Sequence, residues 1–225
     1  MGEQYYYFAS KDRRLRYGDN RLIEEGVTHT VEPPLNLCKW GLHASRRAID
    51  ALTYDPGPTI CIVELGGEII HGDDKSCATE RTYLKVFNGA SLLEELSRRC
   101  ALGVIDLWEA PDVVREYLET GDEMLRKDAK EDIAKAYQSI SLEVPQEAAI
   151  SAARWAIVKG HYPTCVLRAS CDAVWEHAWN SKWGDRHHRN YCSDHANTAL
   201  GDFRKKQNTL LEQMIADKIK EDRNA

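Results

Sequence analysis

Apolar and polar positions follow one period before residue 89 and another after it. The earlier part carries short β-branched or aromatic runs separated by turn residues. Tyr5-Tyr6-Tyr7-Phe8 is aromatic enough for a strand. Ile60-Cys61-Ile62-Val63-Glu64-Leu65 is the clearest strand, with turn residues on both sides. Gly66-Gly67 interrupts it before Glu68-Ile69-Ile70-His71, which predicts a bulge or a tight hairpin. Asp73-Asp74-Lys75 marks a turn, and Thr82–Phe87 alternates as a further strand. Pro33-Pro34 predicts an extended link. Ser45 is placed to cap a short helix running through Tyr54, with Ala48, Ile49 and Leu52 on one face. Asp55-Pro56-Gly57-Pro58 ends that helix in a turn.

From Ser91 the period is helical. Ser91 and Glu94 match a capping box, and Leu92, Leu93, Leu96 and Cys100 follow on one side. Pro111 suits the first turn of a second helix that Gly121 breaks. Ala129, Ile133 and Tyr137 mark the buried face of a third. Pro145 opens a fourth helix rich in alanine, closed by Gly160, and Pro163 begins a fifth that carries Trp175 and Trp179. A last helix is predicted from about Asp185 to Lys220. The fold class this predicts is α+β: a small mixed module over residues 1–88, then a helical bundle over 89–225 with a long C-terminal helix.

Composition narrows the function classes. A net charge of −6 disfavours broad nucleic-acid binding, which relies on neutralising phosphates; only Arg13, Arg14 and Arg16 form a basic patch. No apolar run approaches the ~20 residues needed to span a bilayer. The polar, aromatic N-terminus has no leader pattern, so a cytoplasmic location is expected. Seven cysteines without paired spacing read as reduced thiols, mostly small core hydrophobes.

Candidate chemistry is densest at Cys38-Lys39-Trp40-Gly41-Leu42-His43-Ala44-Ser45, between the proline link and the first helix. A glycine before a histidine at a loop-to-helix junction puts an imidazole beside exposed helical N–H groups, a setting that favours anions. The competing reading is a turn glycine, a packing histidine and a capping serine. His188, Cys192 and His195 would share one face of the last helix, with Cys171 or His177 as a further zinc ligand, but no C-x-x-C knuckle supports a metal site and none is expected. Trp175, Trp179 and Trp183 lie at i, i+4 and i+8, a stripe that is ordinarily core and, if exposed, a partner site. Phe203, Leu210, Leu211, Met214 and Ile215 form a second stripe, through which homo-oligomers are expected.

The run LCKWGLHASRRAIDALTYDPGPTICIVELGGEIIHGDDKSCATERTYL resembles an uncharacterised family of phage and prophage proteins, in which a GLHAS…VE..GE…GDDK module leads into an Ala-rich helical tail. The likeness covers residues 12 to about 125. It implies a phage- or prophage-encoded accessory protein that binds a host protein, with inhibition of antiviral defence (anti-CRISPR or similar) as the class of action and no cofactor. A second likeness, carried by Gly41 to Ser45, Ala48, Tyr54 and the strand Ile60–Leu65, is to ADP-ribosyltransferases. That resemblance implies NAD as substrate, His43 or Ser45 positioning the ribose, and Glu80 stabilising an oxocarbenium-like ribose. In it Arg14 or Arg16 would hold the pyrophosphate, and Gly41 would lie against the ligand. The chain lacks those enzymes' early His-Gly-Thr or Arg-Gly motif.

Overall fold

A computed structural model describes residues 2–54, 57–138, 144–158, 163–182 and 189–224. The chain divides into two compact units, Met1–Ser91 with Leu211–Ala225, and Leu92–Leu210. The architecture is α+β, with an antiparallel sheet in the first unit and helices in the second. No helix among the described residues is long and apolar enough to cross a membrane.

The first unit is built on two long strands. β1 (Gln4–Ala9), β2 (Thr28–Thr30) and β3 (Leu42–Ala44) are short; β4 (Thr59–His71) and β5 (Ser76–Asn88) form a long hairpin. The order is β1-β4-β5-β2, with β3 also on β5. Just past β3, Ser45 exchanges backbone hydrogen bonds with Tyr6 of β1, at 2.8 and 3.0 Å. The ladder β1-β4-β5-β3 therefore returns to β1 and closes into a small ring. Tyr5, Leu42, Ala44, Cys61, Val63, Leu65, Ala78 and Tyr83 are buried together in its core, joined by Leu15 and Ile23 from the preceding loop. Phe8 and Ile60 face each other in register and point the opposite way, where α1 (Ala48–Tyr54) packs on β1.

Several local expectations shift for identifiable reasons. Gly66-Gly67 is a bulge within one strand, not a hairpin: the register slips between Gly66 and Ile69, and β4 continues to His71. Gly67 has φ 68°, and a Cβ there would lie 2.0 Å from Thr79 Oγ1, which accepts the Glu68 N–H. Ser45 is not a helix cap, because its backbone is committed to Tyr6 and α1 begins at Ala48. α2 (Ala90–Leu102) starts before the expected Ser91–Glu94 box, with Asn88 Oδ1 accepting the Ala90 N–H at 3.0 Å. The peptide between Pro33 and Pro34 is cis.

In the second unit α3 (Asp112–Thr120) ends where Gly121, at φ 71°, returns its N–H to Tyr117 O at 2.8 Å. α4 (Arg126–Gln138) buries Ala129 and Ile133, but Tyr137 is exposed: its hydroxyl meets Glu147 and its ring lies under Arg154. α5 (Val144–Ile157) and α6 (Pro163–Lys182) pack on each other, burying Ala149, Ala152, Ala153, Ala169 and Ala173. The expected stop at Gly160 lies outside the described residues. α7 (Arg189–Asn224) divides between the units at Leu211. Of the stripe expected to drive self-association, Leu211 and Ile215 are buried, whereas Phe203, Leu210 and Met214 are half-buried.

Candidate functional site

The segment 35–45 is shaped by its own backbone. Asn36 takes the N–H groups of Lys39 and Trp40 and returns its own to Trp40 O, at 2.8–2.9 Å. The turn forces Cys38 to φ 74° and Gly41 to φ 136°. A Cβ at Gly41 would meet Cys77 Cβ at 3.0 Å and Leu35 Cδ2 at 3.1 Å, so both the angle and the space require glycine.

His43 lies on β3, not at a helix entrance, opposite Cys77. Its Nε2 accepts the Cys38 N–H at 3.1 Å. Burial pulls its pKa below the ordinary value; a hydrogen bond to the Gly41 backbone opposes this, and Lys75 and Arg81 add to the depression. The imidazole thus acts as a neutral staple across the turn. Lys75 stands 3.9 Å over the ring of Tyr54, whose hydroxyl bonds to Asp74.

Four large apolar side chains are exposed in this region, Ile69 and Ile70 on opposite sides of β4. Trp40 is 52% exposed with its indole N–H fixed on Glu32 O at 2.7 Å, Tyr54 is 47% exposed, and Ile69 and Ile70 at the end of β4 are 36% and 40% exposed. Leu37 lies against Gly72 at the hairpin tip, which ties the turn to that end of β4. Exposed large apolar side chains in one region of a surface are candidates for contact with a partner.

The proposed catalytic residues do not converge. Glu80 is exposed on β5, opposite Gly66 and Thr30. It lies three residues from Cys77, the partner of His43, hence about 10 Å along the strand. Ser45 is buried beside β1. Arg14 is spent on Asn20 O, at 2.9 Å, within the loop it bridges to Leu22, and Arg16 is exposed in the next turn.

Arg81 is a residue that sequence reasoning did not single out. It is 2% exposed, and its partners among the described residues are all neutral. Nε and Nη2 donate to Tyr83 Oη at 3.1 and 2.6 Å, Nη1 donates to His43 O at 2.5 Å, and the guanidinium lies 3.8 Å over Tyr7. His29 also meets Tyr83 Oη, at 3.1 Å. The alternation Arg81, Tyr83 on the inward side of β5 was the available signal.

In the helical unit Trp175 and Trp179 stack at 5.1 Å and are half-buried, with Trp175 Nε1 on Asn197. Trp183 and His188 lie outside the described residues, as does the side chain of Cys192. His195 and His177 share a pocket of about 390 Å³ floored by Val104, Leu107, Val174 and Ala199. No three His, Cys, Asp or Glu among the described residues gather to hold a metal ion. Burial pushes the Cys100 thiol up to about 12 and that of Cys171 up to about 11, leaving both poor nucleophiles.

Compared with known proteins, residues 21–95 match a family described as "Domain of unknown function (DUF7666)". No curated protein and no solved structure matches the chain. The matched segment contains all four exposed side chains, from Trp40 through Ile70.

Proposed function

We propose that the protein is a phage- or prophage-borne accessory factor that acts in the host cytoplasm by binding a host protein, with components of antiviral defence as the target class. The phage and prophage resemblance supports the setting. The observation that carries the binding reading is the exposure of Trp40, Tyr54, Ile69 and Ile70. Exposed tryptophan and tyrosine, held in place by hydrogen bonds, supply contact area at little entropic cost. These residues replace the expected Trp175, Trp179 and Trp183 stripe as the partner site, since the first two of that stripe are half-buried against neighbours. The NAD-transferase reading lacks a geometric basis, because His43 and Glu80 stand apart.

The test is capture from host lysate on immobilised full-length protein, beside a Trp40→Ala, Tyr54→Ala variant, with labelled NAD added to a parallel sample. A host protein retained by the natural chain and reduced at least about tenfold by the variant is the expected result. Equal retention by both, or label transferred to protein, would overturn it.

A further inference from the structure

The outer side of β4 is only half covered. Over Thr59–Glu64 it carries β1, and that pairing stops at Gln4 opposite Glu64. Beyond the bulge, Ile69, Ile70 and His71 pair inward with Ala78, Cys77 and Ser76 of β5. Among the described residues no strand lies along the outer side of Glu68–His71, and all four are exposed. An edge in this state presents N–H and C=O groups spaced to receive another strand. Natural edges are commonly blunted with charge or proline, whereas two isoleucines occupy the centre of this one, one toward each face.

Charge selects the occupant. Glu64 ends the covered part of β4, Glu68 begins the open part, and Glu80 stands opposite Gly66 at the bulge. The Glu80 carboxylate lies 3.1 Å from where a Cβ on Gly66 would be. None of the three is ion-paired among the described residues. A second copy of this chain is a poor occupant, because it would bring a second set of the same three carboxylates to the edge. A nucleic acid would meet the same carboxylates.

We propose that the open edge of β4 accepts an extended segment of a partner protein as an added strand, in line with β1, and that this segment alternates aliphatic side chains with lysine or arginine. The proposal rests on the protein-binding function above and specifies its chemistry. The added backbone satisfies the outward groups of Glu68–His71, its aliphatic side chains pack beside Ile69 on one face, and its cations lie on the other face with Glu68.

The probe is an eight-residue peptide of alternating lysine and valine, titrated into isotopically labelled full-length protein at low salt, with a glutamate–valine peptide of equal length beside it. The lysine peptide is expected to slow amide exchange at the outward groups of Glu68–His71 and to shift their signals saturably, the glutamate peptide to do neither. A Glu64→Gln, Glu68→Gln, Glu80→Gln variant is expected to bind about tenfold more weakly. No protection at Glu68–His71, equal binding of both peptides, or shifts confined to Trp40 and Tyr54 would overturn the proposal. Lysate capture separates its failure from failure of the function. Should Glu68→Lys, Ile70→Lys retain the host protein that Trp40→Ala, Tyr54→Ala loses, strand addition falls and protein binding stands; should both variants retain it, protein binding falls as well.

Discussion

At the scale of single residues, the N-terminal unit is held by polar side chains taken out of water. Arg81 is desolvated by two tyrosine rings and satisfied by a hydroxyl and a carbonyl, with no carboxylate among its described partners. Burial raises the Tyr83 phenol to about 12, so the hydroxyl it presents to Arg81 and His29 stays protonated. His29 and His43 both have depressed pKa values, from burial first and from nearby arginine or lysine second. The sign follows directly. A histidine held neutral in the folded state contributes stability that is present above its unfolded value, about 6.5, and is lost as pH falls below it. The urea midpoint of the N-terminal unit is therefore expected to drop between pH 7.5 and pH 5. A His43→Gln variant, less stable at neutral pH, is expected to show a shallower drop. An unchanged slope in that variant would show that His43 does not titrate differently on folding.

At the scale of elements, the bulge in β4 decides which side of the strand each exposed isoleucine takes. Without the extra residue at Gly66-Gly67, the alternation beyond it would invert and exchange the sides of Ile69 and Ile70. Gly67 combines a positive φ with a neighbour that leaves no room for a side chain. Gly67→Ala is expected to cost about 1–3 kcal/mol. Chemical denaturation gives that number, and amide exchange locates the loss in the outer part of the β4–β5 hairpin. A near-neutral result would mean that the bulge tolerates alanine by shifting Thr79. The interruption was legible beforehand from the paired glycines, but the choice between a bulge and a hairpin was settled only by the continued pairing of β4 with β5. The true cap of α2 was not. Asn88 lies inside a strand-like stretch, and only the path of β5 brings its carboxamide to the Ala90 N–H.

For the whole molecule, the sequence period changes near residue 89 and the compact units divide at Ser91, yet the last part of α7 belongs to the first unit. Glu212 Oε1 accepts the Ala48 N–H at 3.4 Å, at the start of α1, and Leu211 and Ile215 are buried. Leu211→Ala is accordingly expected to destabilise the sheet unit by about 2–4 kcal/mol. Exchange should accelerate at β1 and β4 more than at α5 and α6; uniform acceleration would place the side chain in a different unit.

The sequence by itself determined the α+β class, the strands at Tyr5–Phe8 and Ile60–Leu65, an interruption at Gly66-Gly67, the starts of α3, α5 and α6, and the burial of Cys61, Cys77 and Cys100. Each of these follows from period, glycine or proline geometry, or side-chain volume, and so is written in a few neighbouring residues. Only the tertiary structure decided that Ser45 serves β1, that His43 staples a turn, that Glu80 lies three residues along β5 from the partner of His43 and that Arg81 is buried. Those outcomes depend on which strands pair and in what register, and pairing joins residues as far apart as Tyr6 and Ser45 through a ring that no local pattern encodes.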